Sequence, residues 1–219
     1  SRPDSDTFGE RVWEVRRRIG AQLAAKDADL PVGDDLVVIP VPDSSNFVAQ
    51  GYAEARGIPF GMGLLRNHYV GRTFIRPNQK SRDEGVKEKF NPLPGFFPGR
   101  RVVLVDDSIV RGTSLRKLVR MIKAAGAVEV HVRIGSPPVI GSCYYGIATP
   151  TRDELIANRL SVAGSAEYMS ADSLKYMDVA DFDRVLENPR DYCFACFNLD
   201  YIYPPEHYGH KVNVPKHRE

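Results

Sequence analysis

Apolar positions along the chain follow two different periods, and each period predicts a different kind of element. Near the N-terminus they recur at helical spacing, so we predict one amphipathic helix over DTFGERVWEVRRRIGAQLAA, with Ser5 or Asp6 as its N-cap and a solvated basic side. Its buried face would carry Phe8, Val12, Val15, Ile19 and Leu23. The segment LVVIPV is instead a short, continuous apolar run, which is typical of a strand covered on both faces.

The clearest succession of elements begins at residue 101. The strand RVVLV is followed by the loop DDSIVRGTS, the helix LRKLVRMIKAAG and the strand EVHVRI. The helix has one apolar face, and Gly126 suits the position after its C-terminus. A strand, a helix and a second strand in this order predict a right-handed crossover, and therefore a parallel α/β sheet flanked by helices. Ligands of such sheets bind beyond the carboxyl ends of the strands.

The remaining segments complete the predicted organisation. A short strand, FGMGLL, is expected at residues 60–65. Residues 66–99 lack periodicity and carry many cations, so they are expected to form a lid, a binding loop or a disordered segment. Short helices are expected near the C-terminus, one of them capped by Asp172 and Ser173. We therefore divide the chain into a domain at residues 1–150 and a C-terminal helical extension at residues 151–219.

Composition and charge limit the class of protein. The chain has 219 residues, of which 42% are hydrophobic and 26% charged, and its net charge is +2, which suits one soluble globular domain. Cations and acids are interspersed, so no nucleic-acid partner is expected. No apolar run reaches the ~20 residues of a membrane span, and no signal-peptide pattern is present, so we expect a cytoplasmic protein without a membrane partner. Three cysteines argue against a disulfide framework and leave metal binding or free thiols.

Two loops at predicted strand ends carry the candidate chemistry. Asp106 and Asp107 are adjacent carboxylates, whose repulsion costs stability unless a cation or a hydroxyl-rich ligand lies against them. The following residues 111–114, Arg-Gly-Thr-Ser, enter a helix whose free N–H groups and dipole favour a phosphate. The carboxylates can accept hydrogen bonds from sugar hydroxyls or hold Mg²⁺. We therefore predict a site for a sugar phosphate with a divalent metal, and the loop PDSSN would face the same crevice.

Two other interpretations of the DDSIVRGTS loop are considered. In the first interpretation, the loop is a simple helix cap rich in Asp and Ser. Capping needs only one acid, however, and not a pair of acids followed by Arg-Gly-Thr. An apolar strand that ends in an acid is also typical of a Walker B segment. No G-x-x-x-x-G-K-[ST] occurs in the chain, and no G-x-G-x-x-G follows a strand, which argues against that class of nucleotide site.

The segment VVLVDDSIVRGTS closely resembles the phosphoribosyl pyrophosphate (PRPP) signature of type I phosphoribosyltransferases. Further blocks in the same order are similar to the amidophosphoribosyltransferase family over nearly the whole chain: VIPVPDSSNFVAQGYAEARGIPF, RNHYVGRTFI, EVHVRIGSPPV, YYGIATPTRDELIA and ADSLKYM. The resemblance implies the type I phosphoribosyltransferase fold. It also implies transfer of ammonia to C1 of PRPP, which gives 5-phosphoribosylamine and pyrophosphate in the first step of purine biosynthesis.

The resemblance further implies roles for single residues. Asp106 and Asp107 would bind the ribose hydroxyls and Mg²⁺. Asp43 and Ser44 match the pyrophosphate loop, where Ser44 would join the Mg²⁺ site. Residues 66–99 match a mobile loop whose cations Arg72 and Lys89 would stabilise the leaving pyrophosphate, and the alternative for each is a solvated loop charge. The 5-phosphate would be held by Ser108, Arg111, Gly112, Thr113 and Ser114.

The cysteines match one branch of the same family. Cys193 and Cys196 form a C-x-x-C, which by itself is compatible with zinc, redox chemistry or coincidence. With Cys143 they match three of the four ligands of a structural [4Fe-4S] cluster, and the fourth ligand is expected upstream of Ser1. Three buried thiols without a metal are the alternative.

The resemblance implies partners as well. Family members carry an N-terminal glutaminase domain that releases ammonia from glutamine, and a stretch matching this domain is absent from the given sequence. We therefore expect the C-terminal portion of a longer protein, with a free-standing homologue as the alternative, and we expect a homo-oligomer. Two other functions share the signature. A base-salvage phosphoribosyltransferase would need a base-reading hood, and a PRPP-binding regulator would add a basic DNA-binding face.

Overall fold

The computed structural model describes residues 2–67 and 89–203, which form eight strands and six α-helices. The strands are β1 (Asp6–Thr7), β2 (Glu10–Arg11), β3 (Leu36–Pro40), β4 (Leu64–Arg66), β5 (Phe90–Pro92), β6 (Arg101–Asp106), β7 (Glu129–Ile134) and β8 (Ser173–Tyr176). The α-helices are α1 (Val12–Ala25), α2 (Asn46–Arg56), α3 (Thr113–Ala124), α4 (Ile156–Arg159), α5 (Val162–Met169) and α6 (Ala195–Asn198). Short 3₁₀-helices lie at Arg152–Glu154, Val179–Arg184 and Pro189–Asp191.

The centre of the fold is a four-stranded parallel sheet in the order β3-β6-β7-β8. Alternate residues of β6 pack on opposite faces, as expected of a strand that is buried on both sides. Val102 and Leu104 join a core with α3 and α5, whereas Val103 and Val105 join a second core with α1 and α2. The predicted parallel sheet flanked by helices is confirmed.

The N-terminal helix begins later than predicted. Residues 6–11 form the small hairpin of β1 and β2, and α1 begins at Val12 with Arg11 as its N-cap. Phe8 and Gly9 both adopt positive φ in the turn of this hairpin, and the Phe8 side chain is exposed. The predicted N-cap at Ser5 or Asp6 and the burial of Phe8 are therefore wrong. Val12 and Leu23 are buried as expected.

The strand predicted at residues 60–65 is also displaced. Only Phe60 bridges to Val38, and the regular strand β4 covers residues 64–66 and pairs with β5. A Cβ at Gly61 or Gly63 would lie 2.7 Å from a ring atom of Phe96, so glycine at these positions allows the ring to pack against this segment. The predicted loop at residues 66–99 contains β5, and its residues 68–88 lie outside the described residues.

The segment after residue 150 contributes to the central sheet. Ser173–Tyr176 is the strand β8, so the predicted helix cap at Asp172 and Ser173 is wrong. The Asp172 carboxylate instead accepts the Val130 N–H at 2.6 Å and pairs with Lys123 at 2.9 Å. The boundary at residue 150 stays a prediction. None of the helices in residues 2–67 and 89–203 is both long enough and apolar enough to span a membrane.

Helices α1 and α2 are in direct backbone contact. A Cβ at Gly20 would lie 1.9 Å from the Val48 carbonyl oxygen, and a Cβ at Gly51 would lie 2.0 Å from the Arg17 carbonyl oxygen. Two glycines therefore allow the close approach of these two helices.

Candidate functional site

Two loops meet at the carboxyl ends of β3 and β6. We call residues 41–45 the Asp43 loop and residues 106–112 the Asp106 loop. Pro40 is the register partner of Val105, and the Val41 N–H donates to the Val105 carbonyl at 2.8 Å. The Ser45 hydroxyl then crosses between the loops to the Asp106 carboxylate at 2.9 Å. The structure therefore brings the two sequence-predicted loops together in one crevice.

The Asp106 loop encloses a cavity of about 290 Å³ at the N-terminus of α3. Its lining consists of Asp106 and residues 108–115. The first N–H groups of an α-helix have no partner within the helix, and the helix dipole is positive at this end. Thr113 and Ser114 are exposed in this first turn. The cavity therefore has the donors that a phosphate group requires.

Gly112 shapes the floor of this cavity. Its φ is +73°, and an added Cβ would lie 2.7 Å from Ile156 Cδ1. The Ile156 N–H donates to the Val110 carbonyl at 2.9 Å, so the segment before α4 supports the Asp106 loop from behind. The Arg111 guanidinium pairs with the Glu154 carboxylate at 2.7 Å. This support is not evident from the sequence, because Glu154 and Ile156 lie more than 40 positions from their partners along the chain.

The two adjacent carboxylates are in different environments. Burial, followed by the charge of Asp107, raises the pKa of Asp106 to about 7. The positive charge of Lys89 and two hydrogen bonds oppose this rise. Asp107 is exposed, and the Ser108 hydroxyl donates to its Oδ1 at 3.2 Å. The pair therefore attracts a cation or hydroxyl donors that would offset the repulsion between the two acids.

The donor set suits a magnesium ion that is shared with a ligand. Asp106 Oδ1 accepts hydrogen bonds from the Ser45 hydroxyl and from the Asp107 N–H, both at 2.9 Å. Within the described residues, no hydrogen bond reaches Oδ2. No group of three or more His, Cys, Asp or Glu side chains that could hold a metal occurs in residues 2–67 and 89–203. Mg²⁺ usually binds one or two carboxylates together with phosphate oxygens and water, so this carboxylate pair fits it.

The Asp43 loop is held by two arginines that the sequence analysis missed. Arg66 donates to the Asp43 carboxylate at 3.0 Å, and Arg16 donates to the Ser44 carbonyl at 2.7 Å. The peptide bond between Pro42 and Asp43 is cis. The side of α1 predicted to be solvated therefore contributes Arg16 to the site. Asp43 is exposed and Ser44 half-buried, so both are accessible to a ligand.

Of the two cations predicted in the loop at residues 66–99, the structure describes Lys89. Arg72 lies outside the described residues. Lys89 directly precedes β5, and its ammonium lies 5.2 Å from the centre of the Phe90 ring. The charge of Lys89 is one of the influences that lower the pKa of Asp106. A contact of either cation with pyrophosphate stays a prediction.

The three cysteines are neighbours, although the structure does not arrange them as a metal site. The N–H groups of Ile140 and Gly141 donate to the Cys196 carbonyl at 2.9 and 3.0 Å, which brings the Cys143 segment to the C-x-x-C turn. Burial, and then the charges of Cys143 and Cys193, raise the pKa of Cys196 to about 11. All three thiols are free, and these described residues do not form a group that could hold a metal. A cluster therefore requires a change of arrangement and a fourth ligand.

Comparison with known proteins places this geometry in context. Residues 53–134 match the model of the phosphoribosyl transferase domain. The chain is 50% identical over 205 residues, 93% of its own length, to a chloroplastic amidophosphoribosyltransferase of Vigna aconitifolia, and it covers 41% of that protein. It is 46% identical to the amidophosphoribosyltransferase of Bacillus subtilis strain 168, where the match covers 97% of this chain and 44% of the relative.

Solved structures agree with these matches. The glutamine PRPP amidotransferase from B. subtilis, complexed with ADP and GMP, has a TM-score of 0.83 and 43% identity over 98% of this chain and 47% of that one. A structure described as the allosteric regulatory enzyme of purine biosynthesis has a TM-score of 0.80 and 46% identity over 92% of this chain and 44% of that one. The chain spans about two-fifths of the length of the curated relatives it matches.

Proposed function

We propose that this chain, which has the type I phosphoribosyltransferase fold and is homologous to amidophosphoribosyltransferases over more than nine-tenths of its length, transfers ammonia to C1 of PRPP. The products are 5-phosphoribosylamine and pyrophosphate, and the enzyme class is that of the pentosyltransferases. The observation that carries the proposal is the position of Asp106 and Asp107 between a helix N-terminal cavity and the Asp43 loop. This order of groups matches a phosphate, a ribose and a pyrophosphate in one molecule.

Each part of PRPP has a binding element in this proposal. The 5-phosphate lies in the cavity of about 290 Å³ and accepts hydrogen bonds from the first turn of α3 and from the hydroxyls of Thr113 and Ser114. The ribose hydroxyls donate to Asp106 and Asp107. The pyrophosphate lies along the Asp43 loop, with Ser44 beside it. Mg²⁺, held by Asp106, Asp107 and Ser44, would neutralise charge that builds up on the leaving group.

The chain's own groups bind and orient the reactants, and no protein nucleophile is required. The lone pair of ammonia forms the new C–N bond at C1, the bond to the pyrophosphate oxygen breaks, and its electron pair leaves with pyrophosphate. The nitrogen then loses one proton to solvent. Because the transition state resembles an oxocarbenium ion, cations near the leaving group lower the barrier. We assign this role to Lys89, whose charge reaches Asp106, and from the resemblance to Arg72.

The source of ammonia and the assembly are part of the proposal. One solved relative is named a glutamine PRPP amidotransferase, and this chain covers 47% of it, so we propose a glutaminase domain as the partner that supplies ammonia. A homo-oligomer and a cytoplasmic location also stay predictions, and the plant relatives are named chloroplastic.

We also propose a [4Fe-4S] cluster at Cys143, Cys193 and Cys196, with a fourth ligand from outside the given sequence. It is supported by the hydrogen bonds that join the Cys143 segment to the C-x-x-C turn and by the effect of two thiols on the pKa of the third. Iron and sulfide analysis after anaerobic preparation of a chain extended at its N-terminus tests it. One equivalent of zinc without sulfide would contradict the cluster.

Pyrophosphate release tests the reaction. The chain is mixed with PRPP and Mg²⁺, and ammonium is compared with purine and pyrimidine bases as the acceptor. We expect release that depends on ammonium, and a loss of about 100-fold or more in Asp107→Asn, because one electrostatic group at a reacting centre commonly contributes that much. Asp183→Asn, which changes an exposed acid in the Val179–Arg184 turn, is the matched control and should keep the wild-type rate. Release that requires a base and ignores ammonium would favour a salvage enzyme and refute the proposal.

A further inference from the structure

We propose that Ser45 is a positioning residue that connects the Asp43 loop to the Asp106 loop and holds the Asp106 carboxylate in its ligand-binding orientation. This inference deepens the proposed function and rests on it. Ser45 was not among the sequence-predicted site residues, although it lies beside Ser44 in the PDSSN segment.

The Ser45 side chain is used for a tertiary contact and not for its local one. Ser45 occupies the N-cap position of α2, where a serine hydroxyl normally accepts a hydrogen bond from the first turn of the helix. Here it makes no such bond. The hydroxyl donates to Asp106 Oδ1 at 2.9 Å, across a separation of 61 residues in sequence. The helix therefore forgoes a cap, and the hydroxyl is available to the carboxylate.

Ser45 is rigidly placed for this contact. The residue is fully buried, its N–H donates to the Val41 carbonyl at 3.3 Å, and its carbonyl accepts the Ala49 N–H at 2.9 Å. One bond holds it to the Asp43 loop and the other to α2. Because both backbone groups are fixed, the hydroxyl is held where it reaches the Asp106 carboxylate of the other loop.

The contact also decides which carboxylate oxygen faces a ligand. Oδ1 of Asp106 accepts both the Ser45 hydroxyl and the Asp107 N–H, so its hydrogen bonds are made within the protein. Oδ2 is left for a ribose hydroxyl or Mg²⁺. Without the hydroxyl, the Asp106 carboxyl can rotate, and its orientation must be fixed when the ligand binds. The ionised carboxylate is the form that binds Mg²⁺, and hydrogen bonds to charged acceptors are stronger than those between neutral groups. The loss should therefore be measurable as affinity in the presence of Mg²⁺.

Removal of this hydroxyl should leave the loops otherwise in place. The Arg16 guanidinium still holds the Ser44 carbonyl, and Arg66 still holds the Asp43 carboxylate. Ser45→Ala is therefore a local change. Ser161→Ala is its matched control, because Ser161 caps α5 through its side chain and makes the local bond that Ser45 does not make.

Titration calorimetry of the full chain with PRPP, with and without Mg²⁺, tests the inference by binding and not by turnover. We expect Ser45→Ala to bind PRPP about 10-fold more weakly in the presence of Mg²⁺, since one hydrogen bond to a charged group accounts for a change of this size. The Mg²⁺ concentration needed for half-maximal PRPP binding should rise in the same variant. Ser161→Ala should melt at a lower temperature and bind PRPP as the wild type does.

A second pair of variants keeps the test valid if Ser45→Ala does not fold. Ser45→Thr and Ser45→Val have nearly the same shape and differ in the hydroxyl, so Thr should bind PRPP several-fold more tightly than Val. The inference would be overturned if Ser45→Ala bound PRPP as tightly as the wild type, or if Ser45→Val bound it as tightly as Ser45→Thr. Either result would leave the proposed function intact. If the wild type itself binds no PRPP, the proposed function fails, and the role of Ser45 fails with it.

Discussion

Replacement of Gly112 by Ala tests the geometry of the phosphate cavity. The backbone of Gly112 has φ +73°, and this left-handed conformation costs a residue with a side chain roughly 1–2 kcal/mol. The new methyl group would also stand 2.7 Å from Ile156 Cδ1 and 3.5 Å from the ring of Tyr168. Overpacking of this kind costs typically 1–3 kcal/mol. We therefore expect Gly112→Ala to lower the free energy of unfolding by about 2–5 kcal/mol.

A double-mutant cycle separates the two costs. Ile156 is buried, so Ile156→Val alone should destabilise by about 0.5–1.5 kcal/mol. Valine lacks Cδ1, so the steric clash with the new methyl group is relieved in the double variant. The double variant should therefore be more stable, by about 1 kcal/mol or more, than the sum of the two single effects predicts, while the backbone cost of Gly112→Ala remains. Urea unfolding followed by the fluorescence of Trp13, the only tryptophan in the chain, measures all four proteins. A Gly112→Ala protein within 0.5 kcal/mol of wild type, or an additive cycle, would refute the reasoning.

Three further predictions concern the packing of the fold, a buried ion pair and one cysteine. Gly20→Ala should destabilise the fold by more than ~3 kcal/mol in urea, because its Cβ would meet the Val48 carbonyl. Gly164→Ala in α5 should instead stabilise it by up to ~1 kcal/mol, because its Cβ would make only ordinary van der Waals contacts, at 3.4 Å or more. Asp27→Asn should cost about 3–5 kcal/mol, since it leaves the buried Arg133 without its acid. Burial alone would raise the pKa of Asp27, but its hydrogen bond to Arg133 and the charge of that residue outweigh burial and hold the pKa below its usual value. The stability from this ion pair is therefore present above pH ~4 and is lost on acidification. A urea series from pH 7 to pH 3 should show a shallower decline of the free energy of unfolding in the variant than in the wild type. The Cys196 thiol, with its pKa raised to about 11, should react with iodoacetamide at pH 8 more slowly than free cysteine, as mass spectrometry would measure.

The central sheet was predictable where the pattern of apolar residues was continuous. LVVIPV and RVVLV are long enough and apolar enough to indicate buried strands, and both are found in the structure. Strand β8 was missed because SLKY is short, alternates in burial and begins with the serine of an Asp-Ser pair that also suits a helix cap. The hairpin before α1 was missed because its apolar Phe8 happens to fall at helical spacing.

The parts of the site that were predictable from the sequence are those formed by residues close together along the chain. An acid pair followed by residues of a phosphate loop indicates a ligand from a few positions alone, and the structure brings Asp106 and Asp107 to the expected edge of the sheet. Arg16 was assigned to a solvated face because its contact with the Ser44 carbonyl depends on how α1 packs. The bond between Ser45 and Asp106 likewise spans 61 residues, and no local pattern encodes such a separation.

The most direct test of the account follows the bond that forms at C1. PRPP labelled with ¹³C at C1 is mixed with the chain, Mg²⁺ and ¹⁵N-ammonium, and early NMR spectra are recorded together with the phosphorus signal of pyrophosphate. The account predicts that pyrophosphate appears while the C1 resonance gains a one-bond coupling to ¹⁵N. Two results would contradict the account. In one, pyrophosphate appears but C1 is bonded only to oxygen from the first spectra onward. In the other, PRPP stays intact until a purine or pyrimidine base is added.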